Sequence, residues 1–479
     1  MSLFALLLLA CPAENTDSAE VTDTGNDNDN DNDTGSTGDG YAFTSRDGSG
    51  QSAVAYDGQV MRQLLIVDMT RHLSALTGRI DGGWFPVDGE VAEELDFYFS
   101  FDSETSGEVP FLYSSDPAPL QAIYGDVSSG KDLVGKIAGN DATGQHEDWT
   151  TAFEGWPHAD VTTPESLVRL WMAQVDDAAV ARSNGDIPLD PNGEPVAAVY
   201  LTAEGQDLQQ LLQKFLGGAV AFSQGADDYL DDDVEGSGLL SDHAALAEGK
   251  SYTNLEHAWD EGFGYFGASR DYCSGDDALI ASPGYTDTYP ADGAIDLLTE
   301  VCWGHSTNAA KRDAGASTEA PTDFTAAAWE GFHEGRSLLA STSTSLTAEE
   351  LATLQGHRDQ ALSAWEAAIA ASVVHYINAT IQNQALFGTT DYDFASHAKE
   401  WSEMKGFALS FQFNPRSPLS DEEFVELHDL LGTAPVLPNA GEAAAEAYAQ
   451  DLLDARRLIG DAYGFDDANL GAADGTGGW

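Results

Sequence analysis

Apolar positions recur along this chain every three or four residues, the period of helices that turn one face to a core. Met61, Leu65, Met69, Leu73 and Leu76 form one stripe, and Leu208, Leu211, Leu212, Phe215, Leu216, Ala219 and Val220 form another. The same spacing predicts helices over roughly 89–100, 164–182, 252–266, 292–312, 323–340, 347–385, 393–411, 420–431 and 441–463. Alternation of the strand type is scarce. Thr347, with Glu350 three residues on, is a capping box at the start of the longest stretch. Behind it Leu351, Leu354, Leu362, Trp365, Ile369, Val373 and Tyr376 mark a long stripe, and helices of that length pack most simply as bundles. The expected fold class is all-α, a multi-helix bundle with two packed helical halves after a disordered N-terminal tether.

The first residues break this pattern. Met1 to Ala10 is a short apolar run, well below the roughly 20 residues a spanning helix needs, and Leu8-Leu9-Ala10-Cys11 fits the lipobox at which a bacterial lipoprotein is cut and lipidated on cysteine. Residues 12–40 hold almost no large apolar side chains and no basic ones, so they cannot form a core. Their Asp/Asn repeat fails as a calcium loop, because counting from Asp29 puts Thr34 and Gly40 where Gly and Glu are required. The organisation expected is a signal peptide at 1–10, lipidated Cys11 and an acidic linker at 11–40, helical halves at 41–235 and 236–465, and a flexible tail at 466–479. The boundary between the halves is placed at the Asp231-Asp232-Asp233-Val234-Glu235-Gly236 run. The localisation that follows is the bacterial cell envelope, lipid-anchored, at the outer membrane. The remaining cysteines, Cys273 and Cys302, are a candidate disulfide in that oxidising compartment.

Charge narrows the partners. With 81 acidic against 20 basic residues the chain carries −61, a field that repels nucleic acid and anionic lipid head groups, so contact with membrane is expected through the lipid anchor alone. Nucleotide loops, nucleophile elbows and H-E-x-x-H are absent. What remains is histidine beside carboxylate at helical spacing: Asp68 with His72, His257 with Asp260 and Glu261, His333 beside Glu330, and His397 with Glu400. In so acidic a chain about half of all histidines have such a neighbour by composition alone. Asp68, His72, His397 and Glu400 share apolar stripes and should be buried, whereas His257, Asp260, Glu261 and His333 fall on polar faces. His375 lies among small residues of the long helix, with room for a packed helix or a ligand.

The segments His257 to Gly267 (HAWDEGFGYFG) and His397 to Pro415 (HAKEWSEMKGFALSFQFNP), supported by Lys131 to Gly139 and Gln206 to Gln224, resemble a family of bacterial envelope lipoproteins, the domain of unknown function 4856. The resemblance implies a helical lipoprotein. It also implies a link to metal acquisition, since such proteins are met beside imelysin-like iron-uptake proteins, and envelope uptake proteins are the partners expected. The nearest analogue of the imelysin G-x-H-x-x-E is Gly331-Phe332-His333-Glu334-Gly335-Arg336, with Arg336 in place of the Glu. The preferred candidate ligands for a divalent or ferric ion are therefore His257, Asp260, Glu261, His397, Glu400 and Glu403, with Asp68, His72, His333 and His375 secondary. The expected function is binding for metal acquisition. The alternatives are an envelope-polymer hydrolase using a His/carboxylate pair and a structural docking lipoprotein.

Overall fold

The computed structural model describes residues 40–141, 144–272, 276–282 and 293–479. Cys11, Cys273 and most of the expected tether lie outside the described residues, and with Cys273 the candidate disulfide to Cys302. Eleven helices of nine residues or more are found among the described residues: α1 (Asp57–Asp81), α2 (Glu90–Phe99), α3 (Pro164–Ser183), α4 (Leu208–Leu216), α5 (Asn254–Phe266), α6 (Gly304–Ala314), α7 (Phe324–Ser341), α8 (Ala348–Ala385), α9 (Phe394–Ala408), α10 (Asp421–Leu431) and α11 (Glu442–Tyr463). Isolated bridges such as Thr44 with Ser52 stand in place of strands among these residues, so the all-α expectation holds.

The 38-residue α8 is the axis of the fold and packs against α6, α7, α9 and α11. Its start is the expected capping box, with Glu350 N donating to Thr347 Oγ1 at 3.2 Å and Thr347 N to Glu350 Oε2 at 2.7 Å. Leu354, Trp365, Ile369 and Val373 are fully buried along it. Close approach of α7 depends on glycine. A Cβ on Gly331 would stand 2.7 Å from Ala361 N of α8, and one on Gly335 would stand 2.0 Å from the Trp259 ring of α5.

Residues from both sides of the expected boundary at 235–236 enter one continuous core, where Trp171 and Phe215 join Trp259, Trp365 and Phe413. Nor is 466–479 a free tail. Trp479 is buried, its indole donates to Arg312 O at 2.9 Å, and Asn378 Nδ2 donates to Trp479 O at 3.2 Å. The expected helix at 292–312 begins only at Gly304. Upstream, Asp296 and Glu300 take the local backbone amides, with Leu298 N on Asp296 Oδ1 at 3.0 Å and Asp296 N on Glu300 Oε2 at 2.6 Å, which competes with helix formation. After α4 the chain continues not as α-helix but as two π-helical stretches, Gly217–Phe222 and Gly225–Tyr229.

Candidate functional site

The six preferred ligands do not assemble. His257 on α5 has Nδ1 3.0 Å from Ala55 O, stacks on Tyr252, and sits 3.7 Å from Glu261, whose other oxygen accepts from Gln59 Nε2 at 2.9 Å. His397 on α9 is enclosed by Phe387 and Tyr392, with Tyr392 Oη 3.2 Å from Nδ1. Burial pushes the His397 imidazole down to about 4. The two histidines share no neighbour among these contacts. None of the six belongs to a cluster of three candidate ligand atoms among the described residues; the one such cluster is Asp88, Asp176 and Asp177. There Asp176 is already engaged, since its carboxylate accepts from the amides of Gly89, Val91 and Ala92 at the start of α2.

Asp260 is not on a polar face but in the core, fully buried, because α7 supplies a cation. Arg336 Nε and Tyr41 Oη both donate to Asp260 Oδ1 at 2.9 Å, and Arg336 Nη1 lies 3.3 Å from Glu256. Burial pushes the Asp260 carboxyl up, against Arg336, to about 6. The arginine that interrupts the imelysin-like motif is thus a structural counter-ion. Among the secondary candidates, Asp68 is buried as expected but accepts from Leu112 N at 2.6 Å and Tyr124 Oη at 2.7 Å, and burial raises its pKa. His72 pairs with Glu94 at 2.9 Å rather than with Asp68. His333 stacks on Trp329, and burial with the nearby Arg312 charge lowers His375 to about 4.

Glu403 leads elsewhere. It lines a cleft of about 250 Å³ between α1, α4, α6, α8 and α9. Gln63, Ile66 and Val67 come from α1, Gln213 and Lys214 from α4, His305, Thr307, Asn308 and Lys311 from α6, Tyr376 from α8, and Glu403 and Phe407 from α9. Glu403 is clamped by Lys214 at 3.2 Å and Lys399 at 2.8 Å. Burial would raise its pKa, but the two ammonium groups more than offset that and hold it below the usual carboxylate range. Lys399 also reaches Glu400 at 3.4 Å, and burial raises the Glu400 pKa.

One wall of the cleft is built by the change from α- to π-helix. A π turn leaves carbonyls displaced from the regular ladder, and such turns occur often at functional sites. Here Gly217 O accepts from His305 Nε2 at 3.1 Å, and Ala219 O accepts from Ala138 N at 2.8 Å. A Cβ on residue 217 would come within 3.2 Å of the His305 ring, so glycine lets the imidazole close on the carbonyl. Burial pushes His305 down to about 4, so it is the neutral imidazole, with its proton on Nε2.

The larger clefts hold groups that are mostly paired. In one of about 560 Å³, Glu366 accepts from Ser417 and Tyr463 at 2.6 Å each and from Asn414. Another, of about 460 Å³, is lined by His146 with Trp149, Glu154 and Asp421. His146 Nδ1 is 2.9 Å from the buried Asp227 carboxylate, which also accepts the His146 backbone amide at 3.0 Å.

Residues 153–291 match the family described as Domain of unknown function (DUF4856). The expected family resemblance is borne out over that span. It contains the His257 to Gly267 segment and the cleft residues Gln213, Lys214 and Gly217, whereas Lys311, Tyr376 and Glu403 lie beyond it. Comparison with curated proteins and with solved structures gives no match.

Proposed function

We propose that this protein binds a small solute in the cleft between α1, α4, α6, α8 and α9, as a lipid-anchored component of the bacterial cell envelope. The observation that carries the binding reading is the convergence of polar groups from five helices on one cavity whose remaining wall is Ile66, Val67 and Phe407. A concave apolar surface with a few converging polar groups is the usual form of a small-molecule site. Anchoring is supported by the Leu8 to Cys11 sequence and the polar linker after it. No described helix is long and apolar enough to cross a membrane. Metal acquisition is left without a converging donor set in the cleft, where the one carboxylate is held by two lysines. Thermal-shift screening of a solute library against the wild type and Val67→Trp, which fills the cleft, tests the reading. A stabilising solute should lose its effect in the variant; equal shifts in both proteins, or none in either, would contradict it. Incorporation of labelled fatty acid, lost in Cys11→Ala, tests the anchor.

A second reading, acid–base chemistry on an envelope polymer, is supported by His146 rather than by the expected His257 and Asp260. There an imidazole at a cleft wall stands 2.9 Å from a buried carboxylate, the pairing that acid–base chemistry uses. Turnover of envelope-polymer fragments that survives in His146→Ala would end this reading.

A further inference from the structure

We propose that the solute taken by the cleft is a small organic anion, with its charged group at Lys311 and its body against Ile66, Val67 and Phe407. This rests on the reading of the cleft as the binding site and adds the class of ligand.

Cations are scarce in this chain. About one residue in 24 of this chain is Lys or Arg, and acids outnumber them four to one. A wall of 14 residues drawn at random would carry fewer than one cation and about two acids. This wall carries Lys214 and Lys311 and one acid, and Arg312 and Lys399 stand directly behind it. A solvated exterior needs no such reversal of the chain's own charge.

Lys214 and Lys399 share Glu403, so that carboxylate is spent. Lys311 is exposed and makes no ion pair or hydrogen bond among the described residues, and desolvation by the cleft, then Lys214 and Arg312, lower its pKa. Arg312 is buried, yet among the described residues its guanidinium has no ion pair and Nε has no hydrogen-bond partner. A buried cation without a counter-ion is costly, and two neighbouring ones repel each other as well. Glu403 and Glu400 act on the two cations only through space, and Glu403 is shared with Lys214 and Lys399, so an anion in the cleft would give Lys311 the partner it lacks among the described residues.

Tyr376 and Phe407 lie nearly parallel, with ring centroids 6.1 Å apart, beside the aliphatic Ile66 and Val67. A cavity of about 250 Å³ admits a body the size of one aromatic ring with a charged head, not a polymer.

Titration calorimetry of the full chain with benzoate, phenylphosphate, benzamide and benzylamine holds the body constant and varies the charge. Benzoate or phenylphosphate should bind at least tenfold more tightly than benzamide, with benzylamine weakest, and the tighter of the two anions identifies the head group. Lys311→Met should abolish the preference for anions over benzamide without lowering the unfolding midpoint, because it removes a cation that Lys214 and Arg312 repel. Benzamide or benzylamine binding as tightly as the anions, with binding lost in Val67→Trp, would overturn the anion class and leave the cleft as the site. Binding of none of the four would overturn the anion class. Anion binding that is unchanged in both Lys311→Met and Val67→Trp would overturn the cleft itself.

Discussion

Two residues beyond Glu403 on α9, Lys405 is fully buried and its Nζ meets His428 Nδ1 at 2.7 Å, with the Trp156 ring centroid at 5.9 Å. Burial pushes this lysine down to about 7, and burial with the Lys405 charge also depresses His428. The unfolded lysine keeps a pKa near 10.4, so between pH 7 and about 10 the unfolded chain binds more protons than the folded one. Stability therefore rises with pH through this window, and below pH 7 the fold bears the full cost of a buried ammonium. One proton per pH unit corresponds to about 1.4 kcal/mol, so the gain from pH 7 to 9 is about 2 kcal/mol after allowing for half-titration at the lower end. Lys405→Met removes the titration while keeping most of the side-chain volume. Urea unfolding followed by tryptophan fluorescence at pH 6, 7, 8 and 9, in wild type and variant, isolates the term above pH 7, where groups away from Lys405 cancel in the difference and buried His428 stays neutral in both proteins. The variant should be favoured most at pH 6, and its advantage should shrink by about 2 kcal/mol between pH 7 and 9. A difference that does not vary with pH, or one that grows in the variant's favour above pH 7, would refute the assignment of a charge-averse lysine.

Three other perturbations follow from the packing. Asp228 is pushed up to about 7 by burial, despite Lys136 at 3.9 Å, so the folded state holds a proton that the unfolded chain releases near pH 4. Stability should fall as pH rises from about 4 to 7, and Asp228→Asn should gain about 2–4 kcal/mol over wild type at pH 8 but little at pH 4 in the same urea assay. Arg336→Met strands the Asp260 and Glu256 carboxylates and should cost about 3–5 kcal/mol, with part recovered in the Arg336→Met/Asp260→Asn double variant. Gly335→Ala drives a methyl group into the Trp259 ring and should cost at least about 1–3 kcal/mol by thermal or urea unfolding.

The helices were legible because burial of one face writes itself into the spacing of residues such as Leu354, Trp365 and Val373. The capping box at Thr347 and Glu350 was legible for the same local reason. The π-helical stretches were not, since Gly217 to Tyr229 keeps a helical pattern and only tertiary partners, His305 and Ala138, reveal the widened turn. Asp260 looked like a polar-face residue because its partner, Arg336, lies 76 positions away in sequence. Of the preferred candidates, only Glu403 reached the cleft. Lys311 stands outside the histidine and carboxylate pattern because an ammonium is not a group common to metal sites. The usable signal was the opposite one: Lys311-Arg312, two adjacent cations between small residues, in a chain that otherwise spends few. Convergence of five helices around Lys311 is long-range information that no local pattern holds.

The most direct measurement is a crystal structure of the full chain with 4-bromobenzoate, whose bromine is located by anomalous scattering. One principal bromine peak is expected in the cavity beside Ile66, Val67 and Phe407, with the carboxylate on Lys311. A principal peak in another cleft, or a carboxylate turned away from Lys311, would contradict it.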